Sequence, residues 1–240
     1  MRIFTKLNPN KISRIAVALL LTASALFFSA CSKNETEIPS ISGLMVVNAA
    51  PNHGTYNVYI NSIGTPANTK GALPFLGTVS PYFNITPGAN ILKFTTASSV
   101  EPVYTETTNL AADKAYSYFL INDVPNLSGL LLQDDLSLNS AEKAFVRFIN
   151  VSPDAGNLDL AVDSGATLVA DKAFKAASEF ISIDPKPYNL VIKSKSTGLV
   201  IATLKNVTLT AGKMYSIVAA GMFNPDELQQ PLKLQVITNR

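Results

Sequence analysis

Side chains that could do nucleophilic or metal chemistry are scarce in this 240-residue chain. It holds one cysteine, Cys31, and one histidine, His53. A Ser-His-Asp or Cys-His arrangement needs a base beside its nucleophile, and His53 lies in a predicted turn, residues 51–54, where we expect a solvated loop side chain. The sequence has no Gly-x-Ser-x-Gly, glycine-rich phosphate loop or His-Glu-x-x-His motif. We therefore expect a protein that is not an enzyme and needs no cofactor.

Acidic side chains gather where Asp154, Asp159 and Asp163 fall within ten residues. Calcium requires several oxygens from one loop region, but Asp159 and Asp163 share the outward face of one predicted strand and would lie about 13 Å apart at about 3.3 Å per residue. Asp154 is expected to bond to the backbone of its own turn. We therefore predict no metal site.

Asp134 and Asp135 are expected to be solvated, and no carboxylate pair of the kind a glycosidase needs is singled out.

Tyrosines are concentrated in the first half of the chain, which holds six of the eight. Tyr59 alternates with the apolar Val58 and Ile60 and should point outward, while Tyr82 follows Pro81 in a loop-like stretch. Because exposed tyrosines are good contact residues, Tyr59 and Tyr82 are candidate contacts for a protein or a sugar. The absence of tryptophan, the strongest platform for sugars, weighs against a glycan. The alternative, that these tyrosines are scattered over a solvated sheet without forming a site, stays open.

The first thirty residues have the organisation of a targeting segment. Four cations and no acid precede an uncharged stretch, residues 15–28. As a helix this stretch would span about 21 Å, short of the roughly 30 Å hydrocarbon core of a bilayer, so a signal peptide is favoured over a membrane span. The chain has 19 Lys and Arg against 17 Asp and Glu, and without those four cations the balance becomes slightly acidic. We therefore expect no nucleic-acid partner.

The sequence Phe-Ser-Ala-Cys at 28–31 resembles the lipobox of bacterial lipoproteins, with phenylalanine where leucine is most common. The resemblance implies cleavage between Ala30 and Cys31, diacylglycerol on the cysteine thiol and usually a further acyl chain on the new amine. Two or three acyl chains hold a protein firmly to a membrane. Residues 1–30 are thus interpreted as a signal peptide and residues 31–41 as the lipidated cysteine and a flexible tether.

The residues after Cys31 indicate where the anchor is placed. Ser32 stands where aspartate is associated with inner-membrane retention in enterobacteria, and Lys33, Glu35 and Glu37 faintly resemble the charged surface-export signals of Bacteroidetes lipoproteins. We predict a lipid-anchored protein of the outer membrane. Whether it faces the periplasm or the outside stays open.

An internal repeat organises the rest of the chain. Residues 45–52 match 147–154, and in the same order 85–87 match 183–185 and 110–117 match 209–216. Ordered matches at an offset near 100 predict two homologous domains. Their boundaries are residues 42–139 and 143–240.

Both domains are predicted to be all-β. Short runs rich in Val, Ile, Thr, Tyr and Phe are separated by Gly, Pro, Asn and Asp, and residues 158–163 alternate between apolar and polar as a strand with one buried face does. About seven strands per hundred residues suggest two tandem immunoglobulin-like β-sandwich domains. The matched Tyr116 and Tyr215 are expected to share a core or corner role.

Two segments of the second repeat carry a resemblance to a known family. Residues 146–155 contain Asn-x-Ser-Pro-Asp-Ala and lead into the strand at 158–163, and residues 207–221 contain Leu-x-Ala-Gly-Lys-x-Tyr-Ser-Ile. They resemble DUF4397, a domain of unknown function in secreted and lipid-anchored bacterial proteins, and the first repeat is a more divergent copy. The resemblance implies an envelope β-sandwich module and implies no reaction.

These patterns together predict a non-enzymatic lipoprotein of the cell envelope. Its function would be binding or adhesion toward an envelope protein or a polysaccharide, or structural display. The alternative is an accessory carbohydrate-binding lipoprotein of a glycan-uptake system.

Overall fold

The computed structural model describes residues 40–61, 65–69 and 71–240, and within these it does not describe the side chains at 78–81. The predicted signal peptide, the cleavage site at Ala30 and the lipidated Cys31 lie outside the described residues. No helix in the described part of the chain is long and apolar enough to cross a membrane.

The described residues form fifteen strands and no helix, which confirms the all-β prediction. The strands are β1 (Ser42–Asn48), β2 (Tyr56–Ile60), β3 (Thr78–Ile85), β4 (Gly88–Thr96), β5 (Pro102–Leu110), β6 (Ala115–Ile121), β7 (Ser128–Asp134), β8 (Ala144–Asn150), β9 (Leu158–Val162), β10 (Thr167–Lys172), β11 (Ile181–Ile183), β12 (Pro187–Ser194), β13 (Val200–Thr208), β14 (Met214–Ala220) and β15 (Lys233–Thr238).

Each repeat folds as two sheets packed face to face. In the first repeat, β3-β1-β6-β7 form what we call inner sheet 1 and β2-β4-β5 form outer sheet 1; in the second, β11-β8-β14-β15 form inner sheet 2 and β10-β9-β12-β13 form outer sheet 2. The first core includes Leu44 and Tyr118 from the inner sheet and Phe94 from the outer sheet. Apolar side chains on the facing sides of two sheets give a β-sandwich, as predicted for both repeats.

A third apolar layer lies between the two inner sheets. Its fully buried members come from β1 and β6 on one side and from β8, β14 and their flanking residues on the other. They include Met45, Val47, Phe119, Ile121, Ile149, Val151, Val218 and Ala220. The four sheets therefore stack in one body in the order outer 1, inner 1, inner 2, outer 2, and we call the layer between the inner sheets the central layer.

Matched residues of the two repeats make matched hydrogen bonds. The Asn48 amide donates to the carbonyls of Gly54 and Leu73, and its oxygen accepts from the backbone after it; Asn150 makes the corresponding bonds to its own turn. The hydroxyl of Tyr116 accepts from the backbone N–H of Ala111 at 3.1 Å, and that of Tyr215 accepts from Thr210 at 3.2 Å. The shared corner role expected for the two tyrosines is thereby confirmed.

Equivalent strands of the two repeats run in the same direction, so the body has two distinct ends. The near end holds the starts of β1 and β8, and the far end holds the turns that follow these two strands. At the near end, Ile41 accepts a backbone bond from Asp113, and Arg240 accepts one from Met214. At the far end, the backbone of Gln230 donates to Pro51 at 2.9 Å, which joins the turns of the two repeats. Ser40, the first described residue, therefore lies at the near end.

Candidate functional site

A buried ion pair joins the two repeats toward the near end of the central layer. Arg147 on β8 places Nη2 at 2.5 Å from Asp134 Oδ1 on β7, and the two side chains are 3% and 0% exposed. Asp134 Oδ2 accepts hydrogen bonds from Ser117 at 2.7 Å and Tyr82 at 2.6 Å. Arg147 Nε donates to Ser216 at 2.7 Å. The expectation that Asp134 is solvated is therefore wrong, because its carboxylate compensates a buried guanidinium.

Tyr82 lies within β3 and not in the loop-like stretch that the sequence suggested. Its hydroxyl donates to Asp134 and accepts from the amide of Asn239 at 2.8 Å. Burial, and next the nearby Asp134 carboxylate, raise the pKa of the Tyr82 hydroxyl above its ordinary value. These bonds favour a structural role for Tyr82, and contact with a ligand stays a prediction.

We call the hydrogen-bonded group of Arg147, Asp134, Ser117, Ser216, Tyr82 and Asn239 the polar cluster of the central layer. The two serines occupy equivalent positions in the two repeats, but other members of the cluster have different residues as their repeat equivalents. Ser117 bonds to Asp134 on the neighbouring strand just as its repeat equivalent Ser216 bonds to Asn239, each at 2.7 Å. The other two positions differ between the repeats: Met45 is the equivalent of Arg147, and Phe180 is the equivalent of Tyr82. The Arg147 guanidinium lies 4.7 Å from the centre of the Phe180 ring. Each asymmetric pair thus contributes one polar and one apolar member.

A second polar cluster belongs to the first repeat alone. The hydroxyls of Tyr118 and Tyr104 donate to Glu106 Oε2 at 2.5 and 2.9 Å. Gly129 makes this approach possible, because a Cβ at that residue would lie 2.0 Å from Glu106 Oε2. Burial and then the hydrogen bond to Glu106 raise the pKa of Tyr118 above its ordinary value. In the second repeat Ile217 stands where Tyr118 does, so this cluster is not needed for the fold as such.

Tyr59 lies on the outward face of outer sheet 1, as predicted. The strand register places it opposite Lys93, which in turn lies opposite Thr105. Tyr59 and Lys93 are half-buried and Thr105 is exposed, while the alternating Val58 is fully buried. Ile91 on the same face is 43% exposed. The open sheet face therefore offers a tyrosine, a cation and hydroxyls in adjacent rows.

Exposed large apolar side chains are concentrated at the far end. Of nine such residues in the described part of the chain, six lie in far-end hairpins and loops. These six are Val100, Val124, Leu199, Val200, Phe223 and Leu228. Val100 and Leu199 occupy the same hairpin of the two repeats and are 82% and 66% exposed. Exposed apolar side chains gathered on the loops at one end of a protein make that end a candidate contact surface.

A small cavity of about 220 Å³ lies at the far end, where the repeats meet. It is lined from the first repeat by Asn52, His53 and Phe75 and from the second by Gln230 and Lys233. The Gln230 amide nitrogen lies 2.8 Å from His53 Nδ1. We call this the junction cavity. His53 is exposed in its turn, as expected of a solvated loop residue, and it also lines this cavity.

The acids considered as metal ligands do not converge. Asp154 accepts from the backbone N–H groups of Phe223 and Asn224, at 2.7 and 2.9 Å, so the expectation of a bond within its own turn is wrong. Asp159 accepts from the backbone of Asp171 at 2.6 Å. No group of three potential metal-binding side chains occurs among the described residues.

The sequence pointed poorly to the polar cluster and the junction cavity. The one available signal was Arg147, a charge inside the otherwise apolar run of residues 144–149. A cation flanked by apolar residues in a buried strand requires a buried partner. Its partner Asp134 lies in a different repeat, where no local pattern relates the two.

Comparisons with known proteins give a family and only weak structural likenesses. No curated protein matches the chain. The C-terminal domain of AlgF from P. aeruginosa is 22% identical with a TM-score of 0.30, and covers 40% of this chain and 98% of its own. The family 26 carbohydrate-binding module of Eubacterium rectale Amy13K, solved with maltoheptaose, is 11% identical with a TM-score of 0.27, covering 82% and 97%.

A DUF1812 protein from Bacteroides thetaiotaomicron, described as a putative polysaccharide-binding protein, is 11% identical with a TM-score of 0.22, covering 83% of this chain and 96% of its own. Structural scores this low carry no argument about a ligand. The family match is broader: the domain of unknown function DUF4397 matches residues 42–161 and again 152–240. Together the two matches span the described body as a tandem, and the chain belongs to the DUF4397 family.

Proposed function

We propose that this chain is a non-enzymatic, lipid-anchored protein of the cell envelope, and that the far end of its two packed sandwiches binds a protein or a polysaccharide. The observation that carries the proposal is the concentration of exposed apolar side chains at that end, where six of the nine in the described part of the chain lie. Both repeats contribute to it, since Val100 and Leu199 are repeat equivalents.

The position of the tether supports the choice of the far end. A lipid on Cys31 would leave residues 32–39 between the anchor and Ser40, a reach of at most about 28 Å when extended. Ser40 enters the near end, so the far end would be directed away from the lipid. A tethered binding protein meets its ligand most readily through the end that its anchor leaves free.

The packing of the repeats supports a binding role in a different way. The central layer and the buried Arg147–Asp134 pair hold the two sandwiches in one arrangement. The far-end loops of both repeats are therefore presented at fixed separations. Preorganised loops lose less conformational entropy when a ligand binds.

The far-end surface is tested with a triple variant, Val100→Ser with Leu199→Ser and Leu228→Ser, in the full chain. Binding to isolated envelope polymers and to a glycan array is measured, with Ile91→Ser on outer sheet 1 as the matched control. We expect the triple variant to lose binding at an unchanged melting temperature while the control retains it. Equal binding by both variants would show that the ligand does not use the far end.

The anchor is tested separately with Cys31→Ser. We expect this variant to lose incorporation of radiolabelled palmitate and to leave the membrane fraction. Unchanged labelling and fractionation would contradict the lipoprotein proposal without affecting the binding surface.

The alternative, an accessory carbohydrate-binding lipoprotein, is supported by the row of Tyr59, Lys93 and Thr105 on outer sheet 1. An open sheet face that carries an aromatic ring and hydroxyls suits an extended sugar chain. Loss of glycan-array binding in Tyr59→Ala, with retention in Thr107→Ala on the same face, would favour this alternative over the far end.

A further inference from the structure

We propose that the junction cavity is a subsite for a carboxylated sugar, namely a uronic acid unit of an acidic polysaccharide. This inference rests on the proposed far-end binding function and names the ligand class. It follows from the charge of the cavity, from an unpaired buried donor and from the mixture of groups that line it.

The lining of the cavity is positive. Lys233 lies at the start of β15 with its ammonium 5.9 Å from the centre of the Phe75 ring, and no aspartate or glutamate lines the cavity. His53 engages Gln230 through Nδ1, which leaves its Nε2 for a ligand. A carboxylate is the complement of an ammonium group with neighbouring neutral donors.

A second observation points to a missing acceptor. Asn52 lines the cavity and is only 8% exposed. Its Oδ1 accepts from Gly54 and from the Tyr56 hydroxyl, at 2.8 and 3.0 Å. Its Nδ2 is buried and has no hydrogen-bond partner in the described part of the chain. A buried donor without a partner is unfavourable, so Asn52 would gain a hydrogen bond if a ligand oxygen reached its amide.

The remaining groups favour a sugar over an acidic peptide. The side chains of Thr55, Gln230 and Asn52 can donate and accept hydrogen bonds, as the several hydroxyls of a sugar ring require. Phe75 and the adjoining Pro74 present apolar surface of the kind that the face of a sugar ring covers. The volume of about 220 Å³ suits one small unit rather than a folded epitope.

Because the lining comes from both repeats, the cavity exists only while the repeats are packed. Asn52 and Gln229 form a backbone bridge, and the Gln229 amide donates to Asp123 at 3.2 Å. These contacts fix the second-repeat wall against the turn that carries Asn52 and His53. The central layer thus acts on the site by positioning its two walls.

The test compares oligogalacturonate with a neutral galactose oligomer of the same length, by calorimetry on the full chain in detergent at physiological salt. We expect the acidic oligomer to bind and the neutral oligomer to bind at least tenfold more weakly. Lys233→Gln should weaken oligogalacturonate binding by about tenfold, the loss expected for one charge-assisted hydrogen bond. Lys213→Gln, in the near-end turn between β13 and β14, is the matched control and should bind as the unmodified chain does.

Phe75→Leu separates ring contact from charge: it should weaken both oligomers while the preference for the acidic one persists. Equal binding of the two oligomers, binding of neither, or equal effects of Lys233→Gln and Lys213→Gln would overturn the subsite. Should the far-end triple variant still lose a protein ligand in those cases, the proposed function would stand and only the ligand class would fall.

Discussion

A buried guanidinium inside an apolar layer is stable only when its charge is fully compensated. Arg147 meets this requirement through Asp134, Ser216 and the ring of Phe180. The repeat supplies a natural comparison, because methionine and asparagine occupy the equivalent positions, Met45 and Asn239. Arg147 and Asp134 can therefore each be replaced by the residue type that occupies the equivalent position in the other repeat.

Arg147→Met alone should reduce the free energy of unfolding by about 3–5 kcal/mol, because it leaves the Asp134 carboxylate buried without a counter-ion. The double variant Arg147→Met with Asp134→Asn should recover most of that loss, since neither charge remains. Urea denaturation of both variants measures the difference. A single variant within 1 kcal/mol of the unmodified chain would show that Asp134 is not held in an apolar layer.

The hydrogen bond between the Tyr118 hydroxyl and the Glu106 carboxylate leads us to expect that the free energy of unfolding falls at alkaline pH. The pKa of Tyr118 is raised in the folded chain by burial and by Glu106, so the folded state keeps a proton that the unfolded state releases above about pH 10. The stabilisation is complete below that pH and is lost as the pH rises further. Tyr118→Phe should flatten the fall in unfolding free energy between pH 9 and 11, measured by urea titration. An equally steep fall in Tyr118→Phe would contradict this assignment.

At the residue scale, the repeat made some positions predictable and left others hidden. Tyr116 and Tyr215 were assigned a shared role because both copies retain them, and their matched hydrogen bonds agree. Tyr82 and Asp134 were misplaced because their bonds join strands that are distant in sequence. Local pattern reports which face a side chain takes but not which partner it meets.

At the scale of elements, the strands separate into two kinds. Outer strands such as β5 alternate between exposed and buried residues, as a sheet with one solvated face does. The central strands β8 and β14 are buried at every residue, and their sequences, AFVRFIN and MYSIVAA, do not alternate. Continuous apolar strands indicate that both faces are covered. The sequence therefore contained a signal that the two sandwiches pack together, although not how.

The central layer predicts that substitutions within it cost more stability than substitutions on the exposed face of an outer sheet. Phe119 on β6 is fully buried in this layer and not in the core of either sandwich. Phe119→Ala should therefore cost about 3–5 kcal/mol of unfolding free energy, whereas Thr107→Ala on the exposed face of β5 should change it by less than about 0.5 kcal/mol. If the repeats were separate domains, Phe119 would face solvent and both substitutions would be nearly neutral in chemical denaturation.

At the scale of the whole molecule, the division at 42–139 and 143–240 describes sequence homology better than folding units. The described residues 40–240 form one compact unit, and a domain whose inner sheet is apolar on both faces would expose one face when isolated. Such a face is a predicted aggregation site. The second repeat alone would expose Ile149, Val151 and Val218.

The full chain should therefore unfold in one transition and not in two. If one sandwich unfolded alone, the apolar face that the other sandwich buries in the central layer would be exposed to water. This cost favours unfolding of both sandwiches together. Calorimetry should give a single peak whose van 't Hoff and calorimetric enthalpies agree. Residues 143–240 expressed alone should be less stable and should self-associate, and Val218→Lys should restore solubility to that fragment while destabilising the full chain. Two resolved transitions in the full chain would show that the central layer does not couple the repeats.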